Sequence, residues 1–211
     1  MPPAEDRPLV STVLICAPPD IAEFTETFRS RYAGVDYHHV PPHITVMWPF
    51  VSPGTVRKGA DPAILEEATQ KLRAVCQNVE PFLVTLDRYG TFAGRVLYLA
   101  PQDPTPIVAL HEEILRAFPG YLPYGGQFGM ALVPHLTLGF FDSEEELNAV
   151  PRPPFEPFTF RVGDVYFMYG DIEVPEPWKT VAIIPLGRRR NGPPALSDIR
   201  NAPFDLPGDA R

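Results

Sequence analysis

PPHITVMWPF (41–50) and VPHLTLGFF (133–141) are the two stretches on which the reading of this chain turns. Side chains alternate across a strand, so His43 and Thr45 share one face while Ile44 and Val46 share the other. In the second stretch His135 and Thr137 share a face with Gly139 next along it, and Leu136, Leu138 and Phe140 turn to the core. Each run thus presents one imidazole beside one hydroxyl on a strand anchored by apolar residues. Both follow a proline, Pro42 or Pro134, and both run into aromatics, so the chain contains an internal echo about 90 residues apart. One His-apolar-Thr-apolar tetrapeptide is weak evidence. Two with matching flanks are far rarer than chance.

Working outward, Pro8 to Ala17 is a β-branched run that predicts a buried strand, and Asp20 sits where an N-cap belongs, before a helix to Tyr32. The strand 43–50 follows. A helix over 62–78 carries Ile64, Leu65, Ala68, Leu72 and Val75 at helical spacing. Strands over 81–88 and 95–100 are joined by a loop holding Tyr89, Gly90, Phe92 and Gly94. The rhythm then repeats: a helix over 106–118, the strand 135–141, and a short acidic helix capped by Asp142 or Ser143 and ending near Val150. Strands over 155–162, 164–169 and 179–186 complete the pattern. It predicts an α+β fold of two similar lobes, each offering helices, a histidine-bearing strand and partner strands. The expected division is an N-terminal extension (1–8), a bilobal domain (9–186) and a polar, proline-rich tail (187–211).

A chain of 211 residues with 45% hydrophobic content can bury a core without staples. The apolar runs are far shorter than the roughly 20 residues needed to cross a bilayer, and no signal or lipidation motif is visible. The two cysteines, Cys16 and Cys76, give neither a disulfide framework nor a metal spacing. A soluble, cytoplasmic monomer is therefore expected. A net charge of −8 argues against a long groove that neutralises many phosphates, but leaves room for a nucleic-acid end or a single nucleotide.

On the two HxT motifs, at this separation and in these strands, the chain resembles the 2H phosphoesterase superfamily. Within it the nearest likeness is to the bacterial LigT-like group of 2'-5' RNA ligases or RNA 2',3'-cyclic phosphodiesterases. The stretch VTLDRYGTFAGRVLYLAP (84–101) is similar to the hairpin between the motifs in that group, and the likeness runs from Leu9 to Leu186. The resemblance implies a bilobal, pseudo-symmetric duplicated fold of two antiparallel sheets flanked by helices. A central groove takes one motif from each lobe and needs neither metal nor cofactor. It further implies that His43 and His135 serve as acid and base and that Thr45 and Thr137 hold the phosphate. The partners so implied are RNA ends or small nucleotides bearing a cyclic phosphate.

The chemistry asks for such parts. Opening a 2',3'-cyclic phosphate needs a base to deprotonate water and an acid to protonate the departing ribose oxygen, and two imidazoles of ordinary pKa near 6.5 can divide those roles. Threonine hydroxyls can donate to the non-bridging oxygens. Tyr89 and Phe92 are candidates to stack a base, against the plainer reading that they cap the core of a lobe. Trp48, alternating away from His43, is expected in the core. His38 and His39 with His43 offer a metal-site alternative, with Asp36 the nearby acid. His111, beside Glu112 and Glu113, reads as a solvated helix residue, and Arg188 to Arg190 as a solvated run or an RNA contact. The competing functions are a nucleotide-binding module without turnover, and a phosphodiesterase of another small cyclic or 2'-5'-linked nucleotide.

Overall fold

In the computed structural model, which describes residues 6–33, 40–127, 129, 131–174 and 176–187, the first strand is β1 (Pro8–Cys16). Its residues 11 to 15 are all buried, because the strand lies between two others and is covered on both faces; the polar pair, Ser11 and Thr12, donate their hydroxyls to the Val51 and Met47 carbonyls. Helix α1 (Pro19–Tyr32) follows. Its cap falls to Pro18 rather than to the expected Asp20, which instead sits in the first turn, where a carboxylate meets the positive end of the helix dipole. Strand β2 (His43–Met47) stops before the expected Phe50, since Pro49 has no N–H to offer a ladder. A small hairpin not foreseen in the sequence, β3 (Gly54–Thr55) and β4 (Gly59–Ala60), pairs with Pro8 and Leu9. Asp61 caps α2 (Pro62–Cys76), its side chain accepting from the Ala63 N–H at 2.9 Å.

β5 (Phe82–Phe92) and β6 (Val96–Pro101) form a longer hairpin than expected. Its turn is only Ala93 to Arg95, with Ala93 and Gly94 at φ 46° and 66°, and the Arg95 N–H donates to the Phe92 carbonyl at 2.8 Å. Two successive left-handed residues match the twist of an antiparallel pair. Tyr89, Gly90 and Phe92 therefore lie on a strand, not in a loop. After them come α3 (Thr105–Ala117), β7 (Leu136–Phe140) and α4 (Glu144–Ala149), the last capped by the Ser143 hydroxyl accepting from the Glu146 N–H. β8 (Phe158–Val162), β9 (Asp164–Gly170) and β10 (Lys179–Pro185) close the sheet.

The strand order β10-β9-β1-β2-β7-β6-β5-β8 is antiparallel throughout. It divides into two four-stranded sheets joined where Ile44 pairs with Leu136. The halves echo each other, β2 answering β7, β1 answering β6, and β9 and β10 answering β5 and β8. Even the irregularities repeat. Leu14 opposes Thr45 and Val13 opposes Met47, which leaves Val46 as a bulge; Tyr98 opposes Thr137 and Leu97 opposes Gly139, which leaves Leu138 as a bulge. The second bulge turns Gly139 off the His135–Thr137 face and under α1, where a Cβ would come within 2.6 Å of the Tyr32 Cβ. It also leaves Phe140, expected in the core, 47% exposed.

The lobes are not successive halves of the chain. β9 and β10 return to the sheet of the first motif, and the helices cross over. Helix α1 follows β1 but lies on β7, with Phe24 and Phe28 packed among Tyr89, Phe155 and Phe158. Helix α3 follows β6 but lies on β2, and just past its end Phe118 meets Phe50 edge-on. Trp48, expected in the core, is half-buried against Tyr124.

His111 corrects another expectation. It is 1% exposed, and its Nδ1–H donates to the carbonyl of Val46, the bulged residue of β2, at 2.7 Å. The acidic neighbours Glu112 and Glu113 misled the reading, because helical periodicity puts His111 on the apolar face with Ile107, Leu110 and Ile114. His111→Leu keeps the bulk but leaves the Val46 carbonyl buried without its donor. The expected loss is about 1–3 kcal/mol in urea unfolding, and unchanged stability would mean that this bond holds nothing.

Candidate active site

His43 opens β2 and His135 immediately precedes β7, so both imidazoles stand at the seam between the lobes. The antiparallel register through Ile44 and Leu136 carries His43 toward Thr137 and Thr45 toward His135. The register thus sets all four expected residues on neighbouring strands, on one face of the seam. His43 is 8% exposed and Thr137 5%, while His135 and Thr45 are half-buried. His135 is near enough for its charge to disfavour protonation of His43.

The two rings are held alike. His43 Nδ1 lies 2.8 Å from the Pro41 carbonyl, and His135 Nδ1 lies 2.8 Å from the Val133 carbonyl. A carbonyl can only accept, so Nδ1 carries the hydrogen in both and Nε2 is the nitrogen with the lone pair. Each partner lies two residues before its histidine, and the intervening prolines, Pro42 and Pro134, are the shared flank seen in the sequence.

Burial changes the titration expected of ordinary imidazoles. Desolvation, with smaller contributions from the charges of Arg29 and His135, pushes His43 down to about 4 against the pull of the Pro41 carbonyl. His135 is lowered too, again by desolvation and against the Val133 carbonyl. Arg29 belongs to this setting although nothing in the sequence singled it out. It is 2% exposed on α1, donates to the Val40 carbonyl at 2.9 Å and pairs with Glu26 at 3.2 Å. Its place beside Phe28 on the inward stripe was the one available signal, and arginine is seldom buried.

Aromatic rings surround His135. Phe92 meets it edge-on with centroids 4.8 Å apart, and Tyr98, which the sequence reading missed, lies at 5.3 Å and stacks on Phe92 at 4.2 Å. Tyr89 faces the other way. Its ring packs against Phe28 and Phe155, and its hydroxyl donates to the Pro153 carbonyl at 2.9 Å. Cys16 pairs with His43 across the strands, and burial pushes its thiol up to about 12, with Asp164 adding to the effect. Both effects disfavour the thiolate, the form that acts as a nucleophile. Among the described residues no three His, Cys, Asp or Glu side chains are grouped to hold a metal ion. His38, His39 and Asp36 lie outside the described residues, as do Arg188 to Arg190 and the rest of the tail from 188. Among the described residues no helix is long and apolar enough to cross a membrane.

Residues 17–171 match the family model of the 2'-5' RNA ligase superfamily. Among curated proteins, one from Geobacillus kaustophilus, provisionally named a phosphoesterase, is 25% identical over 131 residues, which cover 60% of this chain and 66% of that protein. A protein of the same provisional name from Bacillus cytotoxicus is 32% identical over 114 residues, covering 52% of this chain and 57% of its own length. The match thus spans less than two thirds of either relative. In fold the chain is similar to E. coli LigT in its apo form, with TM-score 0.59 and 18% identity over 86% of this chain and 99% of LigT. LigT has also been crystallised with 3'-AMP, and that structure matches with TM-score 0.57 at 19% identity over 85% of this chain and 99% of LigT. A Thermus thermophilus structure matches with TM-score 0.56 at 14% identity over 84% of this chain and 97% of that one.

Because the folded-state pKa of His43 lies below its ordinary 6.5, the unfolded chain takes up the extra proton between the two values. The contribution of His43 is whole above pH 6.5 and is lost as pH falls toward about 4. Stability in urea should rise with pH across that window by up to about 3 kcal/mol from this residue. The pH dependence should shrink in His43→Gln; an equal dependence in both proteins would show that His43 titrates normally.

Proposed function

The chain belongs to the 2'-5' RNA ligase superfamily, and from that membership we propose that its cleft is a metal-independent phosphodiesterase site opening 2',3'-cyclic phosphates to 2'-phosphates. The observation that carries the reading is the matched pair of histidines, each with Nδ1–H tied to a carbonyl, so that each offers Nε2 at the seam between the lobes. One imidazole accepts a proton from water as the water oxygen bonds to phosphorus. The P–O3' bond breaks, and the other imidazole, protonated, delivers its proton to O3'. Thr45 and Thr137 donate to the non-bridging oxygens as negative charge gathers there. No oxidant, nucleotide or metal enters the balance.

The two environments favour a division of roles. His43 is the more enclosed and is held neutral to lower pH, which suits a base. His135, the more exposed of the two, is left to serve as the acid, although desolvation lowers its pKa as well. The contacts of Phe92 and Tyr98 with His135 support a nucleoside on the β5–β6 side of the cleft, where base–aromatic stacking is worth about 1–3 kcal/mol. The stacking role considered for Tyr89 passes to Tyr98, because Tyr89 is engaged on the opposite face. The superfamily's description adds a second activity. With an RNA 5'-hydroxyl in place of water, the same bond exchange forms a 2'-5' linkage without ATP.

Incubation with a nucleoside 2',3'-cyclic phosphate, followed by phosphorus NMR, should show the 2'-phosphate accumulating. His43→Ala and His135→Ala should each lower turnover by roughly 10²–10⁴, and Thr45→Ala or Thr137→Ala by about 10²–10³. Near wild-type turnover in either histidine variant would refute the assignment. A protein that binds nucleotides and opens no cyclic or 2'-5'-linked substrate would be the non-catalytic module instead.

A further inference from the structure

We propose that a hollow of about 270 Å³ beside His135 is a guanine-selective base pocket with Arg88 as its reading residue. The inference rests on the phosphodiesterase reading above and names the nucleotide that the site prefers. Strand register defines the hollow. Gly90 pairs with Tyr98 and Arg88 with Ala100 between β5 and β6, while Tyr98 opposes Thr137 of β7, so these residues share the face that carries His135 and Thr137. Ala100 is too small to fill it, ending at its methyl. Gly90 lets the Tyr98 ring lie close over the strand and form one side of the hollow: a Cβ there would come within 2.4 Å of that ring. Phe92 backs the ring from the other side, and Leu132 and Val108 supply apolar walls.

The lining selects the ligand. Mostly apolar walls that include Tyr89 and Tyr98 take a flat ring, and the volume, below that of a site for drug-sized ligands, suits a single ring system. The one charged side chain on the lining is that of Arg88. Its link to Asp87 at 2.8 Å joins two partly exposed neighbours, a pair of small worth that a buried ligand can replace. Guanidinium offers only donors, in a fork. Guanine presents O6 and N7 as adjacent acceptors, whereas adenine sets an amino donor beside N7. Tyr98 contacts the His135 ring, so a base in the hollow belongs to the nucleoside whose phosphate lies at the histidines.

The test measures kcat/KM for the four nucleoside 2',3'-cyclic phosphates and for glycerol 1,2-cyclic phosphate, which has the reacting ring and no base. Guanosine should exceed adenosine by about tenfold, and Arg88→Gln should bring that ratio close to one. Ala100→Leu, which fills the hollow, should lower the guanosine-to-glycerol ratio by about tenfold, chiefly through KM. Ratios separate pocket from fold, since a damaged fold lowers both substrates together. Equal use of guanosine and adenosine, or ratios unmoved in both variants, would overturn the proposal. If no cyclic phosphate is opened at all, the phosphodiesterase reading fails, and calorimetry decides the pocket by itself. Tighter binding of 3'-GMP than 3'-AMP, lost in Arg88→Gln, would support the pocket; equal binding would overturn it.

Discussion

The pairing of β2 with β7 at Ile44 and Leu136 is the contact on which the rest of the molecule depends. It is a narrow seam between two four-stranded sheets, and it is where the two histidine-bearing strands become neighbours. Because the strands run antiparallel, the histidine of each is carried toward the threonine of the other. The site is therefore a product of the seam and does not exist within either lobe. The crossing of the helices secures that seam: α1 packs on the sheet of the second motif and α3 on the sheet of the first, so that neither lobe can separate without uncovering the apolar face of the other.

Local symmetry and local difference then divide the labour. The hydrogen bonds at Nδ1 and the bulges after Thr45 and Thr137 are the same in both lobes, and they present like side chains in like poses. The surroundings differ. His43 is enclosed, near Arg29, and carries a strongly lowered pKa, whereas His135 opens onto the rings of Phe92 and Tyr98. A duplicated scaffold thus presents two imidazoles held alike, and burial together with neighbouring groups makes them unequal.

Much of this was legible along the chain, for identifiable reasons. Alternation at His43-Ile44-Thr45-Val46 and at His135-Leu136-Thr137-Leu138 gave the faces of both motifs, and apolar spacing located α2 and α3 to within a few residues. The reading failed where a feature has no sequence period. A bulge displaced Gly139 and Phe140 from their expected faces, a three-residue turn lengthened β5 to Phe92, and the tiny β3–β4 hairpin is too short to show alternation. His111 was misjudged from its charged neighbours, although its own helical position pointed inward.

The sequence by itself determined the α+β class and the internal repeat that singles out His43, Thr45, His135 and Thr137, because periodicity and a recurring motif are local properties carried by nearest neighbours in the chain. Only the tertiary structure decided that β9 and β10 belong with the first motif and that Arg29 lies inside, near His43. It also decided that Tyr98 rather than Tyr89 stands at His135. These outcomes follow from register, helix crossing and burial, which are set by contacts between segments far apart in sequence and leave no mark on any one of them.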